Sequence, residues 1–237
     1  MNDIEKNDVD IKKLFEWSDV VTIFSKRGDP IQDFYIKVVG EADWNRARVW
    51  ALRDSAELRK KLKIKDSDER VAFIQEREDA TKEVLVEYIL MLSMRDYTNE
   101  AVDNISLPYP VAPKSTATLE EQEIYQAKID KYAEIREEKI RKEILKVVDR
   151  ERQKFLEMKI KELHTYYETI TVNELCRNEL NEKFLAYCTY LGTYKTDKLE
   201  ERAFSSFEEL ANIPSHVKTQ LMNKYAELDM TSDTLKK

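Results

Sequence analysis

Two histidines and two cysteines are the chain's whole stock of soft metal ligands and nucleophile activators, so their spacing sets the first limit on its chemistry. Cys176 and Cys188 are too few for a disulfide framework and fit a reducing compartment. Twelve residues apart on one helix, they would lie about 120° apart in azimuth and about 18 Å apart along the axis. They cannot bond to each other there, and they read as small buried hydrophobes. His164, in ELHTYYE, has neither the Glu-x-x-His spacing of di-iron bundles nor the His-Glu-x-x-His of zincins. It reads as a boundary histidine, and His216, two residues past Pro214, as a solvated helix-start residue. Acidic side chains are so frequent that no carboxylate pair is singled out, and no G-x-S-x-G or kinase-like set occurs. The three glycines, Gly28, Gly40 and Gly192, lie too far apart for a glycine-rich phosphate loop. The expectation is a chain that is not an enzyme, with no cofactor and no metal site.

One basic line invites a binding role. In WNRARVWALR, Arg46, Arg53 and Lys60 recur at i, i+7 and i+14 beside Trp50. This is either a docking stripe for an acidic partner or a solvated face paired with Glu57 and neighbouring acids. The net charge of -7 and pI near 5.2 argue against nucleic acid, because phosphate affinity comes from clustered Lys and Arg. Arg27-Gly28-Asp29 reads as a turn. The start MNDIEKNDVD has no apolar signal core, and no run approaches the roughly 20 residues of a membrane span, so a cytoplasmic protein is expected.

The elements that must position these residues are mostly helices. In 237 residues there are only three Gly and five Pro, with 37% charged and 42% hydrophobic residues, which predicts long helices around an adequate core. The fold expected is mainly α (α+β). A β-hairpin over residues 20–39 packs on helices, then come a long charged helix and a C-terminal helical region. Strands are read at Val20–Phe24 and Phe34–Val39 around the turn formers Gly28, Asp29 and Pro30. Since a lone hairpin is marginal in water, helices must cover it or a partner must extend it. Residues 1–16 read as a polar lead-in with a short amphipathic piece at Ile11, Leu14 and Phe15.

Asp43 caps a helix over 43–62 whose stripe Trp44, Ala47, Ala51, Ser55, Leu58 and Leu62 marks one buried face. Asp66 with Glu69 opens a second over 67–95 with the stripe Ile74, Thr81, Leu85, Tyr88 and Leu92. Its run VLVEYILMLSM carries one charge, so most of its sides should be covered by protein. Residues 98–117 hold three prolines and read as a linker, dividing a 1–97 α+β domain from a 118–237 helical region.

Thr118 with Glu121 caps the next helix. From Leu119 to Thr165 it carries twelve acids and twelve bases, and if continuous it would span about 70 Å. Its narrow seam runs through Ile129, Ile140, Ile144, Val147, Phe155 and Met158, interrupted by Arg136 and Glu151. The seam serves either a coiled coil, including a homo-oligomer, or an intramolecular bundle. The β-branched ETITV predicts a break near Thr169–Thr171, before a helix from Asn173 to Tyr190 that Gly192 caps. A capping box at Ser205 or Ser206 follows, then a last helix after Pro214 with the stripe Val217, Leu221, Tyr225 and Leu228, and TSDTLKK as a polar tail.

Two passages, DFYIKVVGEADWNRARVWALRDSAELRKKL and FSSFEELANIPSHVKTQLMNKYAELDM, together about a quarter of the chain, resemble segments of the tail assembly chaperones of tailed bacteriophages. The resemblance implies a non-catalytic protein of the host cytoplasm that binds the tape-measure protein, keeps its apolar helices soluble and helps recruit tail-tube subunits. It brings no catalytic residues. A holdase needs exposed apolar seams on a charged body. The candidates for partner binding are therefore Arg46, Trp50 and Arg53, the seam residues Ile140, Ile144, Val147 and Phe155, and Val217, Leu221, Tyr225 and Leu228. A structural virion or scaffold protein with permanent helical interfaces is the alternative.

Overall fold

A computed structural model describes residues 18–77, 79–113, 118–196 and 198–235. The amphipathic piece expected at Ile11, Leu14 and Phe15 lies outside the described residues. The chain is mainly helical with one small antiparallel sheet, as expected. Its contacts divide it into two units, one formed by residues up to Lys60 with those from Cys176 onward, the other by Lys61–Leu175.

In the first unit, β1 (Ser18–Phe24) and β2 (Pro30–Lys37) form the hairpin. Arg27-Gly28-Asp29 is its turn. Gly28 sits at φ 89°, a conformation costly for any residue with a Cβ, and the Ser25 hydroxyl accepts from the amides of Arg27 and Asp29. A third strand, β3 (Thr193–Lys195), pairs with β2 and brings Tyr194 opposite Tyr35. Alternation places Val21, Ile23, Phe34 and Ile36 on one face, where they are buried with Leu191, Leu210, Leu221 and Tyr225. The hairpin is thus both extended and covered by its own chain.

The covering helices are α1 (Glu41–Leu62), the end of α5 (Ile160–Gly192), the short α6 (Phe207–Asn212, capped by Ser206) and α7 (Ser215–Leu235). Of the α1 stripe, Ala47 and Ala51 are fully buried. The backbone of α7 stays helical into the stretch read as a polar tail. Gly192 is no left-handed cap. It ends α5 where a Cβ would stand 2.3 Å from the Lys37 carbonyl oxygen and 2.9 Å from the Tyr225 ring, so close approach demands glycine.

This unit combines two segments that flank residues 61–175, whereas the sequence reading divides the chain at 98–117. The reason is physical. The sheet needs β3 and α7, both from the far end of the sequence, to pair β2's second edge and bury its inner face. Composition carries no trace of such pairing.

In the second unit, the helix expected over 67–95 is broken. Ser67, not Asp66, caps α2 (Asp68–Phe73), its hydroxyl accepting from the Arg70 amide at 3.2 Å. A 3₁₀ turn at Gln75–Arg77 follows, and Thr81 then caps α3 (Lys82–Asp103). With no proline before Pro108 to stop it, α3 continues past Arg95 into the expected linker and buries Ala101.

The capping box at Thr118 and Glu121 is present with both reciprocal bonds and opens α4 (Leu119–Glu157), 39 residues and about 58 Å long. The chain breaks at Met158, where ψ is 151°, not near Thr169–Thr171. The helix runs on through that stretch: the hydroxyls of Thr165 and Thr169 donate to the carbonyls one turn back, while the buried Thr171 hydroxyl has no hydrogen-bond partner among the described residues. The break lets Val147 and Phe155 of α4 and Leu163 and Tyr167 of α5 share one core with Leu85, Val86, Ile89 and Leu90 of α3. Lys82 ties α3 to the end of α4 by donating to the Leu156 carbonyl.

Candidate functional site

The basic line on α1 is mostly neutralised by its own helix. Arg46 pairs with Asp43 at 3.1 Å and Lys60 with Glu57 at 2.7 Å, while Arg53 is exposed. Trp50 is half-buried, its ring edge-on to Tyr187 at 5.2 Å. Tyr187 donates to Asp54 at 2.7 Å, and burial with that carboxylate raises its pKa well above the ordinary phenol range. The solvated-face reading describes Arg46 and Lys60.

The terminal stripe is core. Val217, Leu221 and Tyr225 are buried against the sheet and Leu228 is half-buried, so the first three offer no docking surface in this state. The Tyr225 oxygen accepts from the Val39 amide at 3.2 Å, and burial pushes its pKa up. Burial likewise pushes the neighbouring Cys188 thiol up to about 12, which leaves it protonated and inert. Both cysteines are free and buried, as small hydrophobes.

The α4 seam splits in two. Val147 and Phe155, 2% and 1% exposed, lie in the core with α3 and α5 and offer no docking surface in this state. Ile140 and Ile144 are half-buried. Around this part runs a dense set of ion pairs. Arg141 meets Glu137, Lys142 meets Glu138, Lys146 meets Glu143, and Arg150 and Arg152 reach across to Glu100 and Glu87 of α3.

Toward Leu119 the pattern changes. Among the described residues, every ion pair of α4 involves residues from Glu137 onward; Glu120, Glu123, Lys128, Lys131, Glu134 and Arg136 have none. Ile124 and Ile135 are exposed there, and Tyr125, Ile129 and Tyr132 are half-buried. Residues 104–113 bring the Tyr109 ring edge-on to Tyr132 at 5.1 Å. Desolvation and the Tyr109 hydroxyl hold Tyr125 above the ordinary phenol range.

Sequence reasoning missed a second exposed face. The run VLVEYILMLSM was expected to be covered on most sides, yet Val84, Met91 and Met94 are 44%, 60% and 39% exposed on α3. They lie at i, i+7 and i+10, so their spacing was a visible signal of one stripe. Methionines on such a face adapt to varied apolar partners.

His164 lines a cleft of 280 Å³ with Ile74, Thr165, Tyr167 and Glu168. Glu168 accepts from Arg70 at 2.8 Å and Tyr167 donates to the Phe73 carbonyl at 3.2 Å, so both serve structural roles. Among the described residues, no group of three or more His, Cys, Asp or Glu could hold a metal ion. No helix among them is long and apolar enough to cross a membrane. No protein-family model, curated protein or solved structure matches the chain.

Proposed function

We propose that the chain is a non-catalytic assembly chaperone that binds long amphipathic helices. Following the resemblance of its two passages to phage tail assembly chaperones, the partner is the tape-measure protein, with tail-tube subunits recruited to the same complex in the host cytoplasm. The observation that carries this reading is that large apolar side chains stay exposed along helices of the 61–175 unit, among them Val84, Met91 and Met94 on α3 and Leu119, Ile124, Ile135 and Leu145 on α4. Such side chains on an otherwise charged body are what a holdase needs to take up apolar helices and release them. The zwitterionic body, with a net charge of -7, keeps the loaded complex soluble.

The test is coexpression with the product of the neighbouring reading frames. A soluble complex with a very long helical protein encoded just downstream, together with absence of this chain from mature particles by mass spectrometry, is the expected result. A fixed copy number in particles would favour the virion or scaffold reading, and unrelated neighbours would remove the tape-measure partner.

A further inference from the structure

The segment 104–113, NISLPYPVAP, carries no charge, yet it lies beside the charged first half of α4. A ring contact sets Tyr109, itself 62% exposed, against Tyr132, while Val111 is 91% exposed. On α4, Tyr125, Ile129 and Tyr132 follow one another at steps of four and three, the knob spacing of a helix-helix seam, and Tyr109 meets Tyr132 through its ring and Tyr125 through its hydroxyl. Further along α4 the same seam is filled by a helix. There α3 packs on Val147 and Phe155, and its Glu87 and Glu100 pair with Arg152 and Arg150 at the flanks. Because α3 ends at Asp103, the part of the seam nearer Leu119 receives the uncharged segment instead. That segment cannot answer Glu120, Glu123, Lys128, Lys131, Glu134 and Arg136, which have no ion-pair partner among the described residues.

We propose that residues 104–113 form a strap over a docking groove on α4, and that an amphipathic helix of a protein partner displaces Tyr109 to occupy it. The inference rests on the reading of this chain as a helix-binding protein and names where the helix sits. The occupant continues the line of α3, placing apolar residues over Tyr125, Ile129 and Tyr132 and charges of both signs opposite the unanswered ones on α4. The strap makes the free chain less adhesive, since Tyr109 partly covers the half-buried seam until a better-matched helix competes for it. Removing the Tyr109 ring should therefore strengthen binding, whereas changing the seam should weaken it.

The probe is a synthetic helix of about 28 residues with Leu at a and d and mixed Lys and Glu at e and g. It is titrated by calorimetry into the full chain and its variants. Tyr109→Ala should bind it about fivefold more tightly than the native chain. Ile129→Asp should bind it at least about tenfold more weakly. Tyr132→Glu serves as the second seam variant if Ile129→Asp loses helicity. Equal or weaker binding by Tyr109→Ala would overturn the strap, and native-like binding by the seam variants would overturn the groove. Binding by neither the native chain nor Tyr109→Ala would overturn both. In that last case a soluble complex with the downstream helical protein would still uphold the chaperone reading, so the two failures are distinguishable.

Discussion

The two halves of α4 are made of the same kind of sequence and do opposite things. Between Glu137 and Glu157 the helix has α3 and α5 against its seam, Val147 and Phe155 in a buried core, and charges paired along and across it. Between Leu119 and Arg136 the helix is charged too, though less densely, but its seam meets an uncharged strap and its charges have no ion-pair partners among the described residues. A zwitterionic amphipathic helix is thus neither core nor arm by its own composition. What lies across its seam decides, and here α3 is too short to reach both halves.

That contrast is broken most directly in the core. Phe155→Ala should destabilise the fold by about 3 to 5 kcal/mol through the cavity it leaves, whereas Ile129→Ala should cost less than about 1 kcal/mol. Urea unfolding of the two variants measures both, and equal losses would show that the arm is as packed as the core. A smaller effect comes from Thr118→Ala, which removes the capping box and should cost about 1 kcal/mol of local helix stability. Amide exchange should rise in the first turns of α4 and stay unchanged near Phe155.

Acid should act on the paired half. Partial burial pushes Glu151 up, but bonds from Lys154 and Arg150 outweigh it and hold its carboxyl below the usual range. A depressed folded pKa gives stability that is fully present above the unfolded value of about 4.3 and is lost as pH falls through the folded one. Lowering the pH from 7 should therefore leave this half intact until about pH 4, then loosen it, as followed by thermal melts monitored by circular dichroism. In Glu151→Gln that acid-dependent loss should be reduced. Smallest of all, Glu87→Gln removes an exposed partner of Arg152 and should produce only a slight, salt-sensitive shift in melting temperature.

The sequence was most readable where the signal is local. The hairpin around Gly28, the stripe of α1 and the box at Thr118 and Glu121 depend on neighbours a few residues away, and all three stand in the structure. Gly192 reads from its neighbours as a helix cap, but what demands glycine there is the Lys37 carbonyl, which comes from 155 positions earlier. The break at Met158 has no glycine or proline to announce it and follows from the shared core of α3, α4 and α5. The same limit applied to the candidate docking residues. The stripe Val217, Leu221 and Tyr225 has the spacing of a binding face, and only the inner sheet surface reveals that it is already occupied. Exposure of Val84, Met91 and Met94 was equally hidden, since spacing defines a stripe without saying what covers it.

The most direct test is hydrogen exchange along α4, measured on the chain alone and with the helical peptide at saturating concentration. Strong protection from Ile140 to Glu157 in both states, with weak protection from Leu119 to Arg136 that rises only when the peptide binds, is the predicted result. Uniform strong protection along the whole helix in the free chain, or protection that the peptide leaves unchanged before Arg136, would contradict it.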